Sequence, residues 1–134
     1  MNRKYLDEIG DTCRWDNGWG EPLDEKEAAD IQKAVDRCGV DPRECFNLDV
    51  SFYEWLYERL MRYKQDASKV VTLGPIGGLF EFKGAQFSQE QMIDGMLERL
   101  RLILSDKIPD VDEEDKACRE VGEMWAIVLP AMWW

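Results

Sequence analysis

Histidine is absent from the 134 residues of this chain. That absence removes Ser–His and Cys–His nucleophile pairs, an imidazole general base and every metal site that needs a histidine ligand. Cysteine occurs at Cys13, Cys38, Cys45 and Cys118 without a Cys-x-x-Cys pair. The close ligand pairs of a zinc site are therefore missing, and the thiols read as small buried hydrophobes. No run approaches the roughly 20 apolar residues that span a bilayer, and residues 1–8 lack the apolar stretch of a signal peptide, so a cytoplasmic protein is expected. Cations are scarce as well: 17 Lys and Arg stand against 28 Asp and Glu, a formal charge of −11. Direct binding to nucleic acid or to an anionic membrane is disfavoured, because phosphate contacts need a basic stripe and the bases here alternate with acids, as in Asp36-Arg37 and Glu98-Arg99. A basic protein partner is the favourable opposite.

Two loops fall short of cofactor motifs. Gly74-Pro75-Ile76-Gly77-Gly78 lacks the Gly-Lys-Ser/Thr ending of a phosphate loop. Asp110-x-Asp112 lacks the glycine and distal glutamate of a calcium loop. Neither a cofactor nor a metal is expected.

What the chain does have is core-forming material, 45% hydrophobic and 11% aromatic. A single globular domain over residues 1–134 is expected. The periodicities predict an α+β fold, mainly α-helical, with about five helices packed around a central helix at about 51–65 and one β-hairpin at about 70–83. In the central helix Ser51 and Glu54 form a capping-box pattern, Phe52, Leu56, Leu60 and Tyr63 share one stripe, and Glu54, Glu58 and Arg62 line the other side. Upstream, residues 2–9 suggest a short helix ended by Gly10. Asp24 with Glu27 caps a helix from Glu25 to about Cys38, whose inner stripe is Ala28, Ile31, Val35 and Cys38, and Gly39 stops it. Asp41-Pro42 starts a short helix ending near Asn47. Downstream, Val70–Leu73 and Leu79–Lys83 read as two strands joined by the Gly/Pro turn. Ser88 with Gln91 caps a helix whose broad apolar face includes Met92, Met96 and Leu100, with Gly95 admitting a close neighbour. A last helix runs from near Asp112 to about Leu129, burying Ala117 or Cys118, Val121, Trp125 and Val128.

Two blocks, Ser51–Tyr63 running into the hairpin and Ser88–Ile93, and the terminal Leu129–Trp134, resemble small uncharacterised proteins of bacterial phages and integrative elements. The resemblance covers roughly the C-terminal two-thirds of the chain and lies in aromatic packing blocks, so no functional residue is carried over. It implies a mobile-element origin, and small acidic phage proteins include inhibitors of host defence, anti-CRISPR proteins among them.

Three functional expectations follow. The first is a non-enzymatic inhibitor in the host cytoplasm that occupies the basic groove of a nuclease or another DNA- or RNA-binding protein as a nucleic-acid mimic. Its contacts would be Glu54, Glu58, Asp110, Asp112, Glu113, Glu114 and Asp115, with Trp55 at the boundary. The alternative is a protein-interaction or homodimer-forming module anchored by Trp15 and Trp19 in the Gly-bearing loop, or by Trp133 and Trp134 at the end of the chain. A paired-carboxylate enzyme ranks third, since among 28 acids some pair lies close by chance.

Overall fold

Ser88 begins the element on which the rest of the chain packs. Its hydroxyl accepts from the Gln91 amide at 3.1 Å, and the Gln91 side chain accepts in return from the Ser88 amide at 2.9 Å. Two donors left over at a helix start are thereby satisfied. The computed structural model describes residues 4–9, 24–45, 48–67, 69, 79–105, 108 and 110–132. In order these form a single helical turn α1 (Lys4–Asp7), α2 (Glu25–Cys38), a 3-10 turn (Pro42–Cys45), α3 (Leu48–Ala67), β1 (Leu79–Phe82), β2 (Ala85–Ser88), α4 (Gln89–Leu104), α5 (Val111–Val128) and a 3-10 turn (Leu129–Ala131). The architecture is α+β and mainly helical. Among the described residues four helices exceed a single turn, where the periodicities predict about five.

The centre is α4 rather than the helix around residues 51–65. It buries Met92, Ile93, Met96, Leu97, Leu100, Ile103 and Leu104, and lies between α3 and α5 with the hairpin against it. Each such side chain contributes about 1.5–3 kcal/mol on burial, and no other described helix buries so many. Gly95 has the purpose its position suggests: a Cβ there would stand 2.7 Å from Met124 Cε of α5.

α3 begins at Leu48, so Ser51 lies inside the helix and does not cap it. Its core side is also rotated from the expected one. Leu56, Tyr57 and Leu60 are buried, while Phe52 is 40% exposed. The sequence offers apolar residues on more than one face of this helix, and the face that meets α4 decides which of them are covered.

The hairpin differs as well. β1 pairs antiparallel with Ala85–Ser88, Phe80 facing Phe87. The turn is Lys83-Gly84, with φ of 51° and 77°, the paired left-handed conformation that matches strand twist. The expected strand at residues 70–73 and its Gly/Pro turn lie outside the described residues.

α2 has its expected cap and stop. Asp24 accepts from the Glu27 amide at 2.7 Å, and Gly39 adopts φ 76°. Yet nothing in α2 is buried: Ile31 and Val35 are half-covered, Ala28 and Cys38 are exposed. Among the described residues its principal neighbour is the 3-10 turn Pro42–Cys45, too small to cover a four-turn stripe. The expectation of buried thiols fails at Cys38 and Cys45, both free and exposed.

Asp110 caps α5, accepting from the Asp112 amide at 2.9 Å. The 3-10 turn Leu129–Ala131 is tied to the core through Gln89, whose amide donates to the Ala131 carbonyl at 3.1 Å and whose side-chain oxygen accepts from the Tyr63 hydroxyl at 3.3 Å. Met132 packs against the core beside it.

Candidate functional site

Leu48, Phe52, Trp55 and Arg59 recur at intervals of four, three and four residues, which places them on one stripe of α3. At about 100° per residue they lie about 160–220° from the buried Tyr57, on the side away from α4. Leu48 is 65% exposed, Phe52 40% and Trp55 43%. The rings of Phe52 and Trp55 stack with centroids 6.1 Å apart and planes 16° from parallel. The Arg59 guanidinium lies 4.8 Å from the Trp55 ring centroid. The ledge is thus held in one arrangement by its own contacts, which lowers the ordering cost of binding.

Behind the ledge, Phe52 meets Tyr53 edge-on at 5.9 Å. Tyr53 in turn neighbours Cys118 of α5, and hydroxyl and thiol act on one another's ionisation. Burial pushes the Tyr53 hydroxyl well above its ordinary pKa, helped by the neighbouring Cys118 thiol and then by the charges of Asp49 and Glu114. Burial likewise raises the Cys118 thiol, the neighbouring Tyr53 hydroxyl opposes it, and Glu114, Asp49 and Asp115 push it further up. Both groups are therefore neutral at physiological pH. Their shared surroundings locate the carboxylates: Asp49 from the start of α3 and Glu114 and Asp115 from the start of α5 act on the same corner. Asp110, Asp112 and Glu113 complete the exposed acidic group. Part of this charge serves the helix start, where negative residues offset the macrodipole, and Asp115 is paired with Arg119 at 2.8 Å.

Of the residues singled out in the sequence, Trp55 and the five acids from Asp110 to Asp115 are exposed as expected. Glu54 is not an outer acid. It is 4% exposed, because it lies only about 60° around the helix from Tyr57, within the arc that faces the core. Glu58 is half-buried, and Arg62 of the same side pairs with Asp66. Trp15, Trp19, Trp133 and Trp134 lie outside the described residues. Sequence reasoning missed Leu48 and Phe52. Their spacing to Trp55 was readable, but only with the helix start moved from Ser51 to Leu48.

Two further polar arrangements are present. Glu120, 7% exposed, accepts from Lys83 of the hairpin turn at 2.8 Å and from Arg99 of α4 at 2.7 Å. The Lys83 bond, then those from Arg99, hold its carboxyl below the ordinary range against the effect of burial. This ties three elements together and keeps the carboxylate ionised, the reverse of what a general acid needs. Separately, an open cavity of about 350 Å³ lies where the end of α1 meets α3 and the C-terminal part of α4, lined by Glu8, Ile9, Tyr57, Arg101, Leu102 and Ser105. Arg101 Nε donates to the Tyr57 hydroxyl at 2.9 Å, and its guanidinium carbon sits 5.6 Å from the Tyr57 ring centroid.

Among the described residues no three Cys, Asp or Glu side chains are placed to hold a metal ion, and no helix is long and apolar enough to cross a membrane. Compared with known protein families, with curated proteins and with solved structures, the chain matches none.

Proposed function

We propose that this protein is a non-enzymatic inhibitor that docks on a basic, nucleic-acid-handling protein of a host cell, in keeping with the phage-type resemblance of its aromatic blocks. The support is an exposed, pre-ordered aromatic ledge, Leu48, Phe52 and Trp55, together with the exposed carboxylates near the starts of α3 and α5, of which Asp49 and Glu114 both act on Tyr53 behind the ledge. Tryptophan and phenylalanine supply apolar anchors of the type that dominate interface energies. The carboxylates take the place of phosphates in a basic groove and steer the encounter. A partner that handles nucleic acid fits both features, since its binding surface combines cations with aromatic or apolar contacts.

Affinity capture from a bacterial lysate, with and without added duplex DNA, tests this reading. The captured proteins are expected to be basic and to be displaced by the DNA, and Trp55→Ala is expected to weaken capture. Capture indifferent to DNA and to Trp55 would contradict it. The exposed ledge also favours a second reading, self-association through α3. Light scattering of the intact chain beside Trp55→Ala separates the two: a dimeric mass that falls to the monomer in the variant supports the second reading.

A further inference from the structure

We infer that the cavity between the end of α1, α3 and α4 binds a small zwitterion of the α-amino-acid type with an apolar side chain, a site separate from the ledge and independent of the docking proposal. Tyr57 is 2% exposed, and its hydroxyl oxygen accepts from Arg101. Among the described residues no acceptor takes the hydroxyl proton, so that proton is available to a ligand in the open cavity that Tyr57 lines. Arg101 is held by the same contact. Nε is spent on Tyr57, Nη2 reaches only the Met61 sulfur, a weak acceptor at 3.8 Å, and among the described residues no carboxylate pairs with the guanidinium. Among the described residues the Arg101 guanidinium therefore keeps donors for a ligand that enters the cavity. Hydroxyl and guanidinium both present donors, and the planar guanidinium suits a carboxylate.

The remaining walls narrow the ligand class. Glu8 lines the same cavity without an ion pair to Arg101 among the described residues. A negative wall there opposes a phosphate dianion and favours a ligand carrying an ammonium group beside its carboxylate. Ile9 and the 43% exposed Leu102 offer apolar surface to a side chain. The volume of about 350 Å³ is at the small end of ligand sites, suited to a single amino acid.

Amide chemical shifts of the intact protein during titration with L-leucine, up to about 10 mM to cover millimolar affinity, test the assignment. Saturable shifts are expected at Ile9, Tyr57, Arg101, Leu102 and Ser105. Isocaproate, lacking the amine, and isoamylamine, lacking the carboxylate, are each expected to bind about tenfold more weakly, the equivalent of one charge-assisted hydrogen bond. Arg101→Gln and Tyr57→Phe are expected to lower leucine affinity by a similar factor, and Glu8→Gln to make leucine and isocaproate equal. Absence of a saturable shift, an equal response to inorganic phosphate, or unchanged leucine binding in folded Arg101→Gln and Tyr57→Phe would each overturn it. Should either variant fail to fold, the ligand series on the unaltered protein decides by itself.

Discussion

Replacing Glu120 by glutamine probes the joint between hairpin, α4 and α5 with little change of shape. The wild-type carboxylate accepts from Lys83 at 2.8 Å and from Arg99 at 2.7 Å. Hydrogen bonds to charged groups contribute about 1.5–3 kcal/mol each. Lys83, however, is 51% exposed, and on losing its partner it returns to water, so its share falls to the about 0–1 kcal/mol of a surface pair. Arg99 is 27% exposed and recovers less. We therefore expect Glu120→Gln to cost about 2 kcal/mol near neutral pH, a fall in Tm of about 6–8 °C for a domain of this size. The pH dependence has a definite sign. Because the folded protein holds the Glu120 pKa below its ordinary value, the carboxylate's stabilisation is complete above the ordinary carboxylate range. It is lost as pH falls through the depressed value. Protonated glutamate resembles glutamine, so thermal unfolding of the two proteins should differ near neutral pH and converge as pH falls below the ordinary carboxylate range and through the depressed Glu120 value. A gap that stays constant across this range, or one below about 0.5 kcal/mol at neutral pH, would refute the view that charge at Glu120 holds the three elements together.

Other outcomes follow from the packing and the thiols. Gly95→Val should destabilise by about 1–3 kcal/mol through overpacking against Met124, whereas Gly95→Ala, offset by the about 1 kcal/mol gain in helix propensity, should change denaturant midpoints little; equal effects would contradict the close approach seen between α4 and α5. Gly84→Ala, at φ 77°, should cost about 1 kcal/mol by straining the hairpin turn, measured by urea unfolding, and a neutral result would argue against that turn. Cys38 and Cys45, exposed and free, should react with a maleimide well before Cys118, whose thiol burial and acidic neighbours keep protonated; peptide mapping that finds Cys118 labelled first would contradict the Tyr53–Cys118 arrangement.

Local signals were the legible part of this fold. The two capping boxes, Asp24 with Glu27 and Ser88 with Gln91, are both formed, because caps depend on residues three apart and little else. The same locality located α5 and the purpose of Gly95. What could not be read was which apolar face is covered. Phe52, Leu56, Leu60 and Tyr63 make a coherent stripe on α3, yet the partner helix selects Tyr57 with Leu56 and Leu60, leaving Phe52 outside and Glu54 inside. A helix with apolar residues on several faces leaves that choice to tertiary contacts. The hairpin that the described residues form went unread for a related reason. The Gly/Pro-rich stretch at 74–78 drew attention from Lys83-Gly84, a shorter turn flanked by Leu79–Phe82 and Ala85–Ser88. Of the candidate contacts, the acids were legible from charge and Trp55 from its aromatic ring. The ledge became recognisable only with the true start of α3 at Leu48.

In the proposed complex, apolar anchoring on the α3 ledge and the acids at the starts of α3 and α5 act together on a basic partner. The salt dependence of the affinity for a captured partner tests it most directly, comparing the wild type with Trp55→Ala and with the triple variant Asp112→Asn, Glu113→Gln, Glu114→Gln. Wild-type affinity is expected to fall steadily as salt rises, Trp55→Ala to weaken binding at every salt concentration with the slope unchanged, and the triple variant to flatten the slope. A wild-type affinity independent of salt, or a slope the triple variant leaves intact, would contradict it.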